Sequence, residues 1–379
     1  MQKFAFIIHP IDAKRDVARS YPIAKYLPER VVEEFIKHKF PITVAEVSGV
    51  KSLTGEELQG WLIACPLTPR QLISLPPDFV LKRLEQCGMI AQELGAGILG
   101  LGAFTAIVGD GGITLAQRLP GIAITTGNSY TVATAIQGAK KAAALMGHQL
   151  EQSQVAVVGA TGSIGRTCAE VLAREAASIV LVGRDETRLN RIAADLRDIS
   201  CGDVLVSTSV PEGLKNADVV ITVTSAVDAV IQPSDIKIGA VVCDVSRPRD
   251  VSTRVVKERN DVLVIEGGIV QVPGNMVCKK PGRDEQFSFG FPPGTAYACM
   301  SETMMLALDA RYENFTLGKE VTVAQVDETE RLAAKHGFQL SGFRSFEKEV
   351  SEDTITRVHS NACKKQELSP LVGEEKVRI

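Results

Sequence analysis

Two groups of residues have the types and spacing to do chemistry. The first is Gly159-Ala160-Thr161-Gly162-Ser163-Ile164-Gly165, which follows an apolar run at 155–158 and precedes a helix-like pattern. This order predicts a buried strand, a tight turn and a helix N-terminus, the arrangement that holds a dinucleotide pyrophosphate. Gly159 permits the turn, Gly162 lets the backbone approach the phosphates, and Gly165 lets the helix pack close to the strand. A second apolar run, 178–182, ends in Gly183-Arg184-Asp185. An acidic residue at such a strand end holds the ribose hydroxyls of NAD. Arg184 stands where a 2′-phosphate would lie and favours NADP, while Asp185 leaves NAD open.

The second group centres on Cys299. Pro292-Pro293-Gly294 breaks the chain, and a helix beginning at Thr295 would hold Cys299 about one turn from its start. The positive end of a helix favours thiolate over thiol. A thiolate beside a nicotinamide points to attack on an acyl thioester, expulsion of the carrier thiol, hydride reduction of the enzyme-bound thioester and release of aldehyde. The competing reading of any free cysteine is a small buried hydrophobe. Cys168 and Cys243 fit that reading, and Cys65, beside Pro66, is the rival nucleophile. Ser129, following Thr125-Thr-Gly127, either donates to a developing oxyanion or caps a helix. Tyr297 is a proton donor by type, though two residues from Cys299 on a helix it points elsewhere. Glu302, at i+3, shares the Cys299 face and is a candidate base, but its charge would oppose thiolate formation.

The elements that must position these groups follow from hydrophobic patterning. Apolar content is 45% and charged content 23% over 379 residues, an ordinary globular balance with room for two or three domains. A net charge of −3 leaves no general nucleic-acid footprint. No apolar run reaches the ~18 residues of a membrane helix, and the first apolar stretch is too short for a signal peptide. Eight scattered cysteines without a C-x-x-C pair fit a reducing cytoplasm, and five scattered histidines show no metal spacing.

Residues 1–150 read as an N-terminal α/β domain for substrate and catalysis. Strands are expected at 4–8, 42–47 and 61–64, a helix at 78–95, and another helix from Asn128-Ser129 to about Gly147. Residues 151–270 alternate strand and helix, with further strands at 203–206, 218–224, 240–245 and 261–265. This is the pattern of a Rossmann-type, doubly wound parallel sheet that binds NADP. The strand ends carry Thr224, Ser225, Gly267 and Gly268, where cofactor and substrate should meet. Residues 271–346 read as a helical C-terminal segment with the candidate nucleophile, including a helix at 322–336. Residues 347–379 are charged, lack a strong period and read as a flexible tail.

With these motifs the chain resembles the long-chain acyl-[acyl-carrier-protein] reductases of cyanobacterial type. Val50-Lys-Ser-Leu-Thr-Gly55, Leu99-Gly-Leu-Gly-Ala-Phe-Thr-Ala-Ile-Val108, Thr125-Thr-Gly-Asn-Ser-Tyr-Thr131, the glycine loop, Glu266-Gly-Gly-Ile-Val270 and Tyr297-Ala-Cys299 carry the resemblance over residues 40–338. It implies NADPH-dependent reduction of a fatty acyl thioester to fatty aldehyde, with acyl-carrier protein as preferred donor and acyl-CoA also accepted. It places Cys299 at the family's acylated cysteine, and it implies help from magnesium. The first 40 residues depart from the family pattern, as does Asp244-Val-Ser-Arg-Pro248.

Two other readings share this architecture. One is a dehydrogenase of shikimate or methylene-tetrahydrofolate type, which transfers hydride without a covalent intermediate. The other is a non-enzymatic NADP-binding protein. For the reductase, Lys279, Lys280 and Arg283, with Arg247 and Arg249, are candidate steering groups for an acidic carrier. Met300, Met304, Met305 and Leu306 either line an acyl tunnel or form core.

Overall fold

The apolar runs of the first half form strands Gln2–Ile8 (β1), Ile42–Lys51 (β2), Glu57–Ala64 (β3), Ile98–Leu101 (β4) and Ala123–Thr125 (β5). They come from a computed structural model that describes residues 1–18, 21–287 and 292–374, with side chains described as far as residue 368. β1 pairs in parallel with β3 and β4, β4 with β5, and β2 runs antiparallel to β3. The strand Gly274–Lys279 adds antiparallel to β2 and completes a six-stranded sheet. β1 and β4 are apolar on both faces because both faces are covered. On one face Ala5, Ile7, Leu99 and Leu101 join Val80 and Leu84 of the helix Pro77–Glu93 in a dry core. The helix Ala298–Leu308 also packs on β1 and β4, and all but one of its residues are buried.

The nucleotide-type half is built from Gln154–Val158 (β6), Ser178–Val182 (β7), Asp203–Ser207 (β8), Val219–Thr222 (β9), Val241–Asp244 (β10) and Leu263–Glu266 (β11). All are parallel, in the order β8, β7, β6, β9, β10, β11. This is the Rossmann order, in which the direction of winding reverses between β6 and β9. Ala156, Val158, Val180, Val220, Val242 and Val264 pack as one apolar layer on the sheet. The expected mixed α/β fold with a doubly wound parallel sheet is therefore present.

The expected boundaries differ from the observed ones. Contacts divide the chain into one unit of Met1–Thr131 with Ile269–Ser341, and a second of Val132–Gly268 with the residues from Gly342 onward. The chain passes from the first to the second inside the helix Asn128–Leu145, so composition marks no boundary there. The expected C-terminal segment 271–346 is not purely helical. It contributes Gly274–Lys279 to the first sheet, and Thr295–Tyr297 pairs antiparallel with Ile269–Gln271. The expected helix start at Thr295 moves to Ala298, because that pairing keeps the backbone extended through Tyr297.

The expected flexible tail is instead a helix, Glu352–Glu374, as far as the described residues extend. It buries Ile355 and Ala362 and is otherwise held by polar contacts. Asn361 donates to the Asn260 carbonyl, and Lys365 lies 3.1 Å from Asp261. Burial would raise the Asp261 pKa, but Arg259 and Lys365 outweigh it and hold the carboxyl below its usual range. Anchors of this kind leave no apolar period in the sequence. No described helix is long and apolar enough to cross a membrane.

Candidate active site

In the first unit Cys299 is the second residue of its helix. Gly127 faces it with φ +73°, and a Cβ at Gly127 would lie 2.3 Å from both Cα and Cβ of Cys299. Only glycine fits that conformation and that approach. The backbone N–H groups of Met300, Cys299 and Ala103 interact with the sulfur. Ala103 holds φ +47°, a left-handed conformation that alanine adopts only under constraint. Part of Cys299 is exposed, yet its sulfur is desolvated. Burial pushes the thiol up to about 12, the N–H groups act against that rise, and the Glu302 charge adds to it. The expected thiolate is thus corrected: the helix start helps the anion, but desolvation and Glu302 outweigh it.

Glu302 is fully buried. Its carboxylate accepts hydrogen bonds from Thr125 Oγ1 at 2.5 Å, Ser129 Oγ at 2.7 Å, Thr316 Oγ1 at 2.9 Å and the Tyr130 N–H at 2.9 Å. Four donors converge on this one carboxyl group. Tyr130 lies in the first turn of the helix Asn128–Leu145, so Glu302 supplies from another element the cap expected of Asn128 or Ser129. Ser129 is itself fully buried, and its hydroxyl points into this network. The expected oxyanion donor and the expected base are therefore brought together as each other's partners. Asn314 and Thr316 complete the frame, through Asn314 Oδ1 to the Ile124 N–H and Thr126 Oγ1 to the Thr316 carbonyl. Tyr297 is the extended residue that leads into the helix, half-buried and registered with Ile269.

Sequence reasoning passed over His9. It follows β1, whose Ile7 carbonyl receives the Gly102 N–H at 3.2 Å, one residue before Ala103. Its Nδ1 is 3.2 Å from the Pro10 carbonyl oxygen, and its ring meets Phe104 edge-on at 6.2 Å. Burial lowers its pKa to about 4, so the ring is neutral at pH 7. Its Nε2 is buried without a hydrogen-bond partner among the described residues. A histidine closing a buried strand was the available signal.

Cys65, the rival nucleophile, is fully buried in the same apolar core as Cys87. Cys168 and Cys243 are buried. Met300, Met304, Met305 and Leu306 are fully buried, which places them in the core. Lys279 and Lys280 each lie 2.5 Å from an acid, Asp284 and Glu285 respectively. Local pairing thus offsets much of that basic cluster. In the second unit Arg247 and Arg249 flank the buried Glu266 at 3.3 and 2.9 Å. Lys279, Lys280, Arg247 and Arg249 are therefore already partnered.

The second unit carries the glycine loop as expected. Gly159 has φ +86°, and a Cβ there would meet the Val223 carbonyl oxygen at 2.3 Å. A Cβ on Gly165 would meet the Gly159 carbonyl at the same distance. Gly162 is exposed and precedes the helix Ser163–Ala173, while Ala160 is buried and Thr161, Ser163 and Ile164 are half-buried around it. This open cradle at a helix start fits a pyrophosphate. Arg184 is exposed just beyond β7, whereas Asp185 caps the next helix by accepting the Arg188 N–H at 3.0 Å. Thr224 is not free for a ligand. Its hydroxyl donates to Asp250 at 2.5 Å and its N–H to the same carboxylate at 2.9 Å. Ser225 beside it is exposed. Gly267 and Gly268 are buried, and a Cβ on Gly267 would press on Val245 and Cys243. No group of three His, Cys, Asp or Glu that could hold a metal ion is present among the described residues.

Comparison with known proteins agrees with this division. Residues 140–266 match the family described as shikimate / quinate 5-dehydrogenase. The long-chain acyl-[acyl-carrier-protein] reductase of Synechococcus elongatus is 27% identical over 87% of this chain and 95% of its own length. The aminotransferase PigE of a Serratia species is 26% identical over 93% of this chain, which spans 41% of that relative's length. The structure of L-tryptophan dehydrogenase from Nostoc punctiforme is similar at a TM-score of 0.41 and 11% identity, covering 96% of this chain and 88% of that one. The strand order and the glycine loop give the second unit a Rossmann-type NAD(P)-binding fold, and the dehydrogenase-family match with the reductase relative supports an oxidoreductase that uses a nicotinamide cofactor.

Proposed function

We propose that the protein reduces a long-chain fatty acyl thioester to the fatty aldehyde with NADPH, through an acyl group held on Cys299. One observation carries the reading: Cys299 stands at a helix start with backbone N–H groups of Met300 and Ala103 at its sulfur. The near full-length similarity to an acyl-[acyl-carrier-protein] reductase adds the substrate class.

In this reading the Cys299 thiol loses its proton as its sulfur attacks the acyl carbonyl carbon. The new carbon–sulfur bond forms, the old one breaks, and the carrier leaves as its thiol. The N–H groups that surround the sulfur stabilise negative charge developing beside it. Gly127 lets its turn pack directly against Cys299, and Glu302 with Ser129 holds the surrounding frame. The residues at 159–165 would hold the cofactor pyrophosphate and Arg184 a 2′-phosphate, and NADPH, when bound, supplies the hydride that converts the acyl group to aldehyde. The carbon–sulfur bond to Cys299 then breaks, the aldehyde leaves, and the sulfur takes a proton from water to return as thiol. Acyl-carrier protein is the proposed donor, with acyl-CoA as an alternative.

A second reading is favoured by the match of residues 140–266 to the shikimate / quinate dehydrogenase family, namely hydride transfer without a covalent intermediate. Intact-protein mass after incubation with a long-chain acyl-CoA, without NADPH, separates the two. The covalent reading requires an acyl adduct on the wild type, none on Cys299→Ala, and discharge to aldehyde on adding NADPH. Absence of the adduct from both proteins, with acyl-carrier protein as donor too, would leave the non-covalent reading.

A further inference from the structure

His9 carries a hydrogen-bonding atom that the mechanism above does not use. The Pro10 carbonyl can only accept, so its 3.2 Å contact places the ring hydrogen on Nδ1. Nε2 is then a bare acceptor, buried and without a partner among the described residues. Such an atom is costly to leave unpaired. Its place is specific. Two residues before it, the Ile7 carbonyl binds the Gly102 N–H. Gly102 leads into Ala103, whose N–H is at the Cys299 sulfur, and into Phe104, whose ring packs edge-on against His9. The end of β1, the 102–104 turn and the start of the Cys299 helix are thus tied together.

We propose that His9 Nε2 accepts a hydrogen bond from the amide N–H of the thioester's carrier arm and so registers the acyl carbonyl on Cys299. The proposal rests on the acyl-thioester reading and adds to it the part of the substrate that is recognised. The ligand chemistry is a cysteamine amide: the thioester sulfur, two methylenes, then a secondary amide. Coenzyme A and acyl-carrier protein share it. A neutral imidazole lone pair matches a neutral N–H donor, and burial keeps the ring in that form. No atom is transferred, since the contact is a hydrogen bond formed on binding and lost on release.

The test compares S-decanoyl-N-acetylcysteamine with its N-methyl analogue, which lacks the N–H. The rate constant for acyl adduct formation on Cys299 is read by intact mass, for wild type, His9→Leu and His9→Gln. The wild type should acylate about tenfold faster with the N–H compound, the factor that corresponds to ~1.4 kcal/mol. His9→Leu should be slow with both and should not distinguish them. His9→Gln, whose side-chain oxygen accepts, should regain part of the preference. Decanoyl-CoA and decanoyl-acyl-carrier protein should lose the same factor in His9→Leu. A loss confined to one of the two would overturn the proposal, because the contact would then be to the carrier and not to the shared arm. A His9→Leu protein that keeps the wild-type preference also overturns it, while adducts on Cys299 leave the broader reading standing. No adduct on the wild type with either compound overturns both.

Discussion

The Ser129 hydroxyl lies 2.7 Å from Glu302, across 173 residues of sequence. Two residues that each had a chemical reading from sequence are therefore one structural joint. The joint fixes the helix that begins at Asn128 against the helix that carries Cys299. Glu302→Gln should leave several donors facing one accepting oxygen and one amide hydrogen, and should cost about 2–4 kcal/mol of stability. Ser129→Ala removes a single donor and should cost about 1 kcal/mol. Urea unfolding midpoints check both. A Glu302→Gln protein within ~0.5 kcal/mol of wild type would refute the network as an anchor.

Cys299 should alkylate slowly at neutral pH. With its thiol pushed up to about 12 by burial, opposed by nearby N–H groups and reinforced by Glu302, Cys299 is almost entirely thiol at pH 7. The iodoacetamide rate at Cys299, followed by peptide mass, should rise about tenfold per pH unit from pH 7 to 10. It should also be higher in Glu302→Gln at fixed pH, because the opposing charge is gone. A plateau near pH 7 would mean that the helix start outweighs burial.

His9 makes stability depend on acid. Its folded pKa, lowered by burial to about 4, lies below the unfolded value of 6.5. The unfolded chain therefore takes up the proton first as pH falls. The stability that His9 contributes is complete above pH 6.5 and is lost between about 6.5 and 4, up to about 3 kcal/mol. His9→Gln should flatten that part of the stability–pH curve in urea unfolding. An unchanged slope would show that His9 protonates as freely in the folded protein as in the unfolded one.

Arg184 should decide between the two nicotinamide dinucleotides. Asp185 caps a helix and Arg184 beside it is exposed, so in the proposed reading the guanidinium would be the group that meets a 2′-phosphate. Arg184→Ala should weaken NADPH binding about 10- to 100-fold and leave NADH binding nearly unchanged. Fluorescence titration with both reduced cofactors checks this. Equal weakening of the two would remove Arg184 from any role in choosing between them.

The nucleotide unit was legible because its signals are local. Each strand is a short apolar run, and Gly159 and Gly165 lie within seven residues of each other in a turn that tolerates no Cβ. The strand order then follows from the standard winding. The C-terminal helix was not legible, because Lys365 and Asn361 hold it through partners a hundred residues away in sequence. The same reason hid the site's frame. Thr125, Ser129 and Thr316 are ordinary hydroxyl residues until Glu302 stands among them, and His9 is an ordinary strand-end histidine until the Gly102 turn meets β1.

Sequence alone determined the alternation of strand and helix, the glycine cradle with Arg184 after it, and a cysteine near a helix start. Backbone geometry over a few residues dictates all three. Tertiary structure decided what Cys299, Ser129 and Glu302 are to one another and how difficult the thiol is to ionise. Desolvation and long-range hydrogen bonds set those properties, and both depend on which distant segments pack together.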